Sequence, residues 1–162
     1  MSSDRVTAAA EQLRACATVA ELIGVTARAF VEVLDVPACT ISRVIGDLLV
    51  DLVQHRRAGN PDRLGHGYLI SDYPLTRTVI ETREPRTVYA PDADADPAET
   101  RLLQELGFDS LLMLAIEAEN AAWGLVEVYG NSRRFETPDV EVAQALVAEV
   151  DNVLDRLARP AQ

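Results

Sequence analysis

The 162-residue sequence contains no lysine, and all 15 of its basic residues are arginines. The missing lysine excludes Schiff-base chemistry, a P-loop phosphate site and a lysine general base. Aromatic residues make up only 5%, and there are two cysteines, Cys16 and Cys39, which we expect to be buried thiols. Apolar runs are too short to span a bilayer and no signal pattern begins the chain, so we expect a cytoplasmic protein without a membrane partner.

The charge balance is acidic: 26 acidic residues against 15 basic ones give a formal net charge of −11. A nucleic-acid backbone would be repelled, so we expect no nucleic-acid partner. With 48% hydrophobic residues, the composition is typical of one packed domain. The zinc-protease, hydrolase and dithiol motifs HExxH, GxSxG and CxxC do not occur, and we therefore expect no enzyme.

Apolar spacing and turn residues predict an α+β domain. The predicted order is one broken or two consecutive helices, a β-hairpin, a helix, a strand, a helix, a second hairpin and a long helix. The hairpins are predicted at 38–45 with 48–56, and at 110–118 with 121–131. Between them we expect a loop at 58–67, a helix at 74–82, a strand at 86–90 and a helix at 98–106.

Capping signals set several of these boundaries. Ser71 or Asp72 is predicted to cap the helix that begins at residue 74, and Gly107 to end the helix at 98–106. Thr137 is predicted to cap the long C-terminal helix, with Pro138 in its first turn.

Six phrases, in this order, resemble the GAF family: PACTIS at 37–42, YPL at 73–75, EPRTV at 84–88, GFDSLL at 107–112, WGLVEV at 123–128 and RFETPD at 134–139. The resemblance implies a single GAF domain over residues 1–162, with its core at about 17–157 and a short helix before it. It implies a mostly antiparallel sheet of five to six strands. The N- and C-terminal helices should cover one face and a pocket-covering segment the other.

The same resemblance implies a non-catalytic, small-molecule-sensing and dimerisation module of bacterial signal transduction. Its output domain would be one such as a kinase or a cyclase, and its ligand is unidentified. Two alternatives stay open: a thiol-dependent free methionine sulfoxide reductase of GAF type, and a ligand-free structural dimerisation module.

Charged residues inside apolar strands are the strongest site signal, because a buried charge must be paired or face a polar cavity. Arg43, Asp51 and Glu127 have this setting. GAF sheets place the first strand beside the last, which predicts an ion pair between Arg43 and Glu127. The implied pocket lies between the sheet and residues 64–106, and its predicted ligand-binding residues are Arg43, Tyr68, Tyr73, Phe108, Glu127 and Tyr129.

No cofactor or metal is predicted. Residues 92–96 carry alternate aspartates but lack the glycine and glutamate of a calcium loop. Thr40, not the histidine common in bilin-attaching relatives, follows Cys39, and His55 and His66 are expected to be ordinary hydrogen-bonding histidines.

The cyclic-nucleotide signature of some GAF domains is incomplete in this sequence. Asn131, Phe135 and Asp139 match it, but its lysine is absent, and we expect Arg133 to pair with Asp139 instead. This departure leaves cyclic-nucleotide binding open.

The terminal helices are predicted to hold a homodimer. The last helix presents more apolar surface than one sheet face needs, at Leu146, Val150, Val153, Leu154 and Leu157. Leu13 and Ala17 are expected to add to this seam.

Overall fold

The structure is a computed structural model that describes residues 2–59 and 65–158. Its helices are α1 Ser2–Arg14, α2 Val19–Leu34, α3 Pro74–Thr82, α4 Pro97–Leu106 and α5 Thr137–Ala158. Its strands are β1 Ala38–Ile45, β2 Leu48–Arg56, β3 Gly67–Leu69, β4 Arg86–Tyr89, β5 Ser110–Ala118 and β6 Ala121–Gly130. Within the described ranges, no helix is long and apolar enough to cross a membrane.

The strands form one antiparallel sheet in the order β3-β2-β1-β6-β5-β4. Both predicted hairpins are confirmed. Their turns contain residues with positive φ, Gly46 at 59° in the first and Glu119 and Asn120 at 52° and 63° in the second, as tight hairpin turns require. Strand β3 was not predicted, and only its first residue, Gly67, falls in the predicted loop at 58–67. That predicted loop lies partly outside the described residues, at 60–64.

Helix ends follow local capping chemistry. The Asp96 side chain accepts the backbone N–H of Glu99 at the start of α4, and Gly107 ends that helix at φ 85°. The predicted cap of α3 is wrong, since Tyr73 occupies the N-cap position without a side-chain bond. Ser71 instead donates its backbone N–H and its hydroxyl to the Asp47 carboxylate, at 3.0 and 2.7 Å.

Helices α2 and α5 cover one face of the sheet, which we call the helix face, and α1 packs against these two helices. Its core is continuous and apolar, with Phe30 of α2 and Leu146 of α5 packed against alternate strand residues such as Ile41 and Val126. Successive strand residues point to opposite faces, so the same strands supply a second core on the other side.

The apolar stripe of α5 belongs to this core. Leu146, Val150, Val153 and Leu154 are at most 3% exposed within the single chain, and Leu13 of α1 is fully buried. The prediction that these residues present surplus apolar surface is therefore wrong. They pack against the sheet, α2 and α1. The sequence pattern of α5 alone does not reveal that α1 covers part of its apolar surface.

Helices α3 and α4 lie over the opposite face, which we call the cavity face. Val79 of α3 and Leu103 of α4 pack there with Leu125 and Tyr129 of β6. This core is smaller, because α3 and α4 are short and cover only part of the sheet.

Candidate functional site

A cavity of about 510 Å³ lies between the sheet and the segment that carries α3 and α4. Its size is in the range of small-molecule sites. Strands β1, β2 and β6 form its floor with Thr40, Gln54 and Glu127, and α4 contributes Leu102 and Glu105. Its aromatic lining residues are His66, Tyr68, Tyr73 and Tyr129.

Four of the six predicted ligand-binding residues line this cavity: Tyr68, Tyr73, Glu127 and Tyr129. Phe108 lies behind the lining and stacks on Tyr129, with ring centroids 5.0 Å apart. Phe108 therefore supports the wall of the cavity without forming it.

Arg43 lies on the helix face, away from the cavity. In the ladder between β1 and β6 it is opposite Gly124, whereas Thr40 is opposite Glu127. The Arg43 guanidinium donates to the Trp123 carbonyl at 2.7 Å and stands over the Trp123 ring. The predicted Arg43–Glu127 ion pair is wrong, because an offset of three residues places two side chains on opposite faces of a sheet.

Glu127 is the buried carboxylate of the cavity floor, with 6% of its surface exposed. The Tyr129 hydroxyl donates to one of its oxygens at 3.3 Å. Burial raises the pKa of Glu127 well above its ordinary value of 4.5, and the negative charges of Glu99 and Asp51 raise it further. Glu127 thus holds its proton more tightly than an exposed glutamate does.

Glu99 of α4 is a second buried carboxylate, which the sequence analysis missed. It accepts the hydroxyl of Thr76, a cavity-lining residue, and within the described ranges its Oε2 has no hydrogen-bond partner. Burial raises the pKa of Glu99. Its position three residues after Asp96 is that of an ordinary first-turn glutamate, so no sequence signal marks it as buried.

Asp51 of β2 was marked in the sequence as a charge inside an apolar strand. It lines the cavity and accepts the Ser42 hydroxyl at 2.7 Å. Three carboxylates, those of Asp51, Glu105 and Glu127, therefore face the same space.

A GAF domain family model matches residues 18–154 of the chain. The chain belongs to the GAF domain family. The match spans α2 to α5 and includes every residue of the cavity floor, while α1 precedes it. No curated protein matches the chain significantly.

Solved structures of similar fold come from phytochromes and related proteins. The match to JSC1_58120g3 with bound biliverdin has 14% identity and a TM-score of 0.82. It covers 96% of this chain and 99% of that chain. The phycocyanobilin-bound GAF domain of a cyanobacterial phytochrome has 15% identity and TM-score 0.80, with 97% of this chain and 95% of that chain covered.

A longer relative is the chromophore-binding domain of the bacteriophytochrome RpBphP3 from R. palustris. It shares 14% identity at TM-score 0.81, and the match covers 96% of this chain but 60% of that one. The GAF chain thus spans three-fifths of that domain, and likeness at this identity shows the fold alone.

The two cysteines of this GAF domain lie in the core of the helix face, on the other side of the sheet from the cavity. Burial raises the pKa of the Cys39 thiol well above its ordinary value and also raises that of Cys16. Both groups are held as thiols, whereas nucleophilic chemistry requires the thiolate.

The remaining candidate motifs have structural contacts. Arg133 pairs with Asp139 at 2.7 Å, as predicted. In the 92–96 segment, Asp92 makes two 2.6 Å bonds to Arg134, while Asp96 caps α4. Among the described residues, no group of three or more His, Cys, Asp or Glu side chains is arranged to hold a metal.

Proposed function

We propose that this GAF domain is a non-catalytic module of signal transduction that senses a small molecule in the cavity between the sheet and the α3–α4 segment. The observation that carries the proposal is the cavity itself. Its volume of about 510 Å³ suits a small ligand, and its lining combines aromatic side chains with a few polar groups. Ligand binding would shift the packing of the elements around it.

The cavity favours this function over a ligand-free structural module, because a side-chain-filled interior would leave no such space. The position and pKa of the cysteines favour it over a thiol-dependent reductase. Cys16 and Cys39 are 3% and 0% exposed in the core of the helix face. A substrate in the cavity would meet neither thiol.

We further propose a homodimer through the terminal helices and an attached output domain such as a kinase or a cyclase. Val142 and Leu157 of α5 are partly exposed and support this seam. Val142→Glu is expected to dissociate the dimer without unfolding the chain, whereas Val150→Glu should unfold it. Sedimentation velocity with circular dichroism separates these results, and a monomeric wild type at micromolar concentration would contradict the dimer.

We also propose a cytoplasmic location, because the free, buried thiols of Cys16 and Cys39 suit a reducing compartment.

Native mass spectrometry of the purified chain tests the sensing function, since a retained small molecule appears as added mass. Leu102→Trp should abolish retention by filling the cavity that Leu102 lines. Arg101→Trp is the matched control, because it places the same side chain on the same helix at an exposed position. Equal retention by both variants, or failure of compounds of every charge class to bind, would contradict the proposal.

A further inference from the structure

Three carboxyl groups line the cavity, those of Asp51, Glu105 and Glu127, and ionised carboxylates only accept hydrogen bonds. Glu127 is 94% buried, since 6% of its surface is exposed, and one of its oxygens accepts the Tyr129 hydroxyl. A carboxylate offers about four lone-pair sites, so most of its accepting capacity is left for a ligand.

The neighbouring hydroxyl groups direct their protons away from a ligand. Thr76 lines the cavity and donates its proton to Glu99, which lies behind it. The Tyr129 proton points to Glu127. Both oxygens therefore present lone pairs to the cavity, and a ligand gains by bringing donors of its own.

The described part of the lining contains no arginine, and the chain has no lysine. Arg56 lies over the ring of Phe108, 5.2 Å from its centroid, and is not part of the lining. An anionic ligand would meet the carboxyl groups of Asp51, Glu105 and Glu127, and no guanidinium among the described lining residues would offset them.

Aromatic rings complete the walls. Tyr68 and Tyr73 meet edge to face with centroids 5.9 Å apart, and His66 packs against Tyr68 at 4.8 Å. The faces of such rings attract cations, and the attraction is stronger where water is excluded. A buried carboxylate beneath aromatic walls is a combination that suits a positively charged organic group.

We propose that this cavity selects an organic cation, an ammonium, guanidinium or amidinium group on a small apolar body, with its charged head against Glu127. The inference rests on the proposed sensing function and names the ligand class of the same site. The apolar part of the ligand would lie against Ile70 and Leu102.

The inference also predicts that cation binding is coupled to proton release from Glu127. Burial raises the pKa of Glu127, as do Glu99 of α4 and Asp51 of β2. The carboxyl group therefore binds a proton more tightly in the empty cavity than it would in water, and an arriving cation favours the release of that proton. Glu105, His66 and the phenols of Tyr73 and Tyr129 also face this space.

The test compares benzamidinium, benzamide and benzoate, which share one planar shape and differ in charge. Titration calorimetry on the full chain should show benzamidinium binding at least about tenfold more tightly than benzamide, with benzoate undetected. In two buffers of different ionisation enthalpy, benzamidinium binding should release protons. Equal or tighter binding of benzamide or benzoate, or binding of none of the three, would overturn the inference.

Variants assign the preference to Glu127. With Glu127→Gln, benzamidinium and benzamide should bind about equally tightly, and benzamidinium binding should release no protons. With Glu127→Asp, part of the preference for benzamidinium and part of the proton release should remain. Glu141→Gln, at an exposed position of α5, is the control and should behave as wild type. A preference that survives Glu127→Gln would contradict the assignment. A bound neutral or anionic compound would end only the charge inference, while failure of every charge class would end the sensing function too.

Discussion

The two faces of the sheet differ in what they bury. In the described chain, the helix face has a core of 24 buried apolar residues, and the cavity face has 12. The cavity face also buries the carboxylates of Glu99 and Glu127. A large apolar core contributes stability through transfer from water, whereas buried carboxylates oppose it. One face therefore stabilises the domain, and the other gives up part of that stability for a polar cavity.

Strand β6 shows how closely these roles are interleaved. Val126 and Val128 pack in the helix-face core, while Glu127 and Tyr129 between and beyond them line the cavity. Because alternate side chains point to opposite faces, neighbouring positions in one strand have different roles: one packs in the apolar core and the next lines the cavity. Substitutions can therefore probe each face separately.

The largest expected effect is on the helix face. Phe30→Ala removes a fully buried ring and should lower the free energy of unfolding by about 3–5 kcal/mol. Chemical denaturation measures this loss. Phe108→Ala on the cavity face should cost less, because the space it leaves adjoins an existing cavity. A larger loss for Phe108→Ala would reverse the comparison.

The next largest effect is expected where strands β1 and β6 approach each other closely. A Cβ at Gly124 would lie 2.3 Å from the Ser42 carbonyl oxygen, so Gly124→Ala should separate the strands and cost about 1–3 kcal/mol.

Gly24→Ala in α2 is the matched control for Gly124→Ala. A Cβ at Gly24 meets nothing within 4 Å. That substitution should therefore raise stability by about 0.5–1 kcal/mol through helix propensity. Thermal and chemical unfolding of both variants measure the difference, and losses of equal size would contradict the role of close approach.

A smaller effect is expected from Glu127 through pH. Its folded-state pKa lies above the ordinary 4.5, so the folded chain holds a proton that the unfolded chain loses. Its contribution to stability is complete below pH 4.5 and decreases as pH rises through the folded-state pKa. Glu127→Gln should flatten this decrease and be more stable than wild type at neutral pH. Denaturation at several pH values tests it, and an unchanged slope would be the contrary result.

The smallest effect is expected from Asp151 of α5, which accepts the backbone N–H of Glu117 at 2.9 Å. Partial burial raises its pKa from 3.8 to about 7. Stability from this group should decrease between pH 3.8 and about 7, and Asp151→Asn should remove that decrease while keeping an acceptor for Glu117. The same denaturation series applies, with Glu141→Gln, at an exposed position of the same helix, as the control.

The sequence was a good guide to local structure. The hairpins were predictable because turn residues such as Gly46 and Asn120 permit positive φ, and α4 because Asp96, Pro97 and Gly107 mark its ends. Strand β3 was not, because three residues give too short a pattern to show alternation.

The site was only partly predictable, because it depends on register and on contacts between distant elements. Tyr68, Tyr73, Glu127 and Tyr129 were placed by the family resemblance and line the cavity. Arg43 was misplaced because the sequence does not reveal that it is opposite Gly124. Glu99 was missed because burial by α3 and the sheet is invisible in a helix pattern.

The ladder between β1 and β6 has a consequence for how the chain folds. It joins residue 38 to residue 129 and residue 43 to residue 124, whereas each hairpin pairs near neighbours. Closing so long a loop costs entropy before its contacts form, so this ladder should be a slow step. Thr40 and Glu127 meet across it, which means that a half-folded chain has no cavity floor. A small molecule in that cavity would bind the finished fold alone and protect it from unfolding in proportion to its concentration.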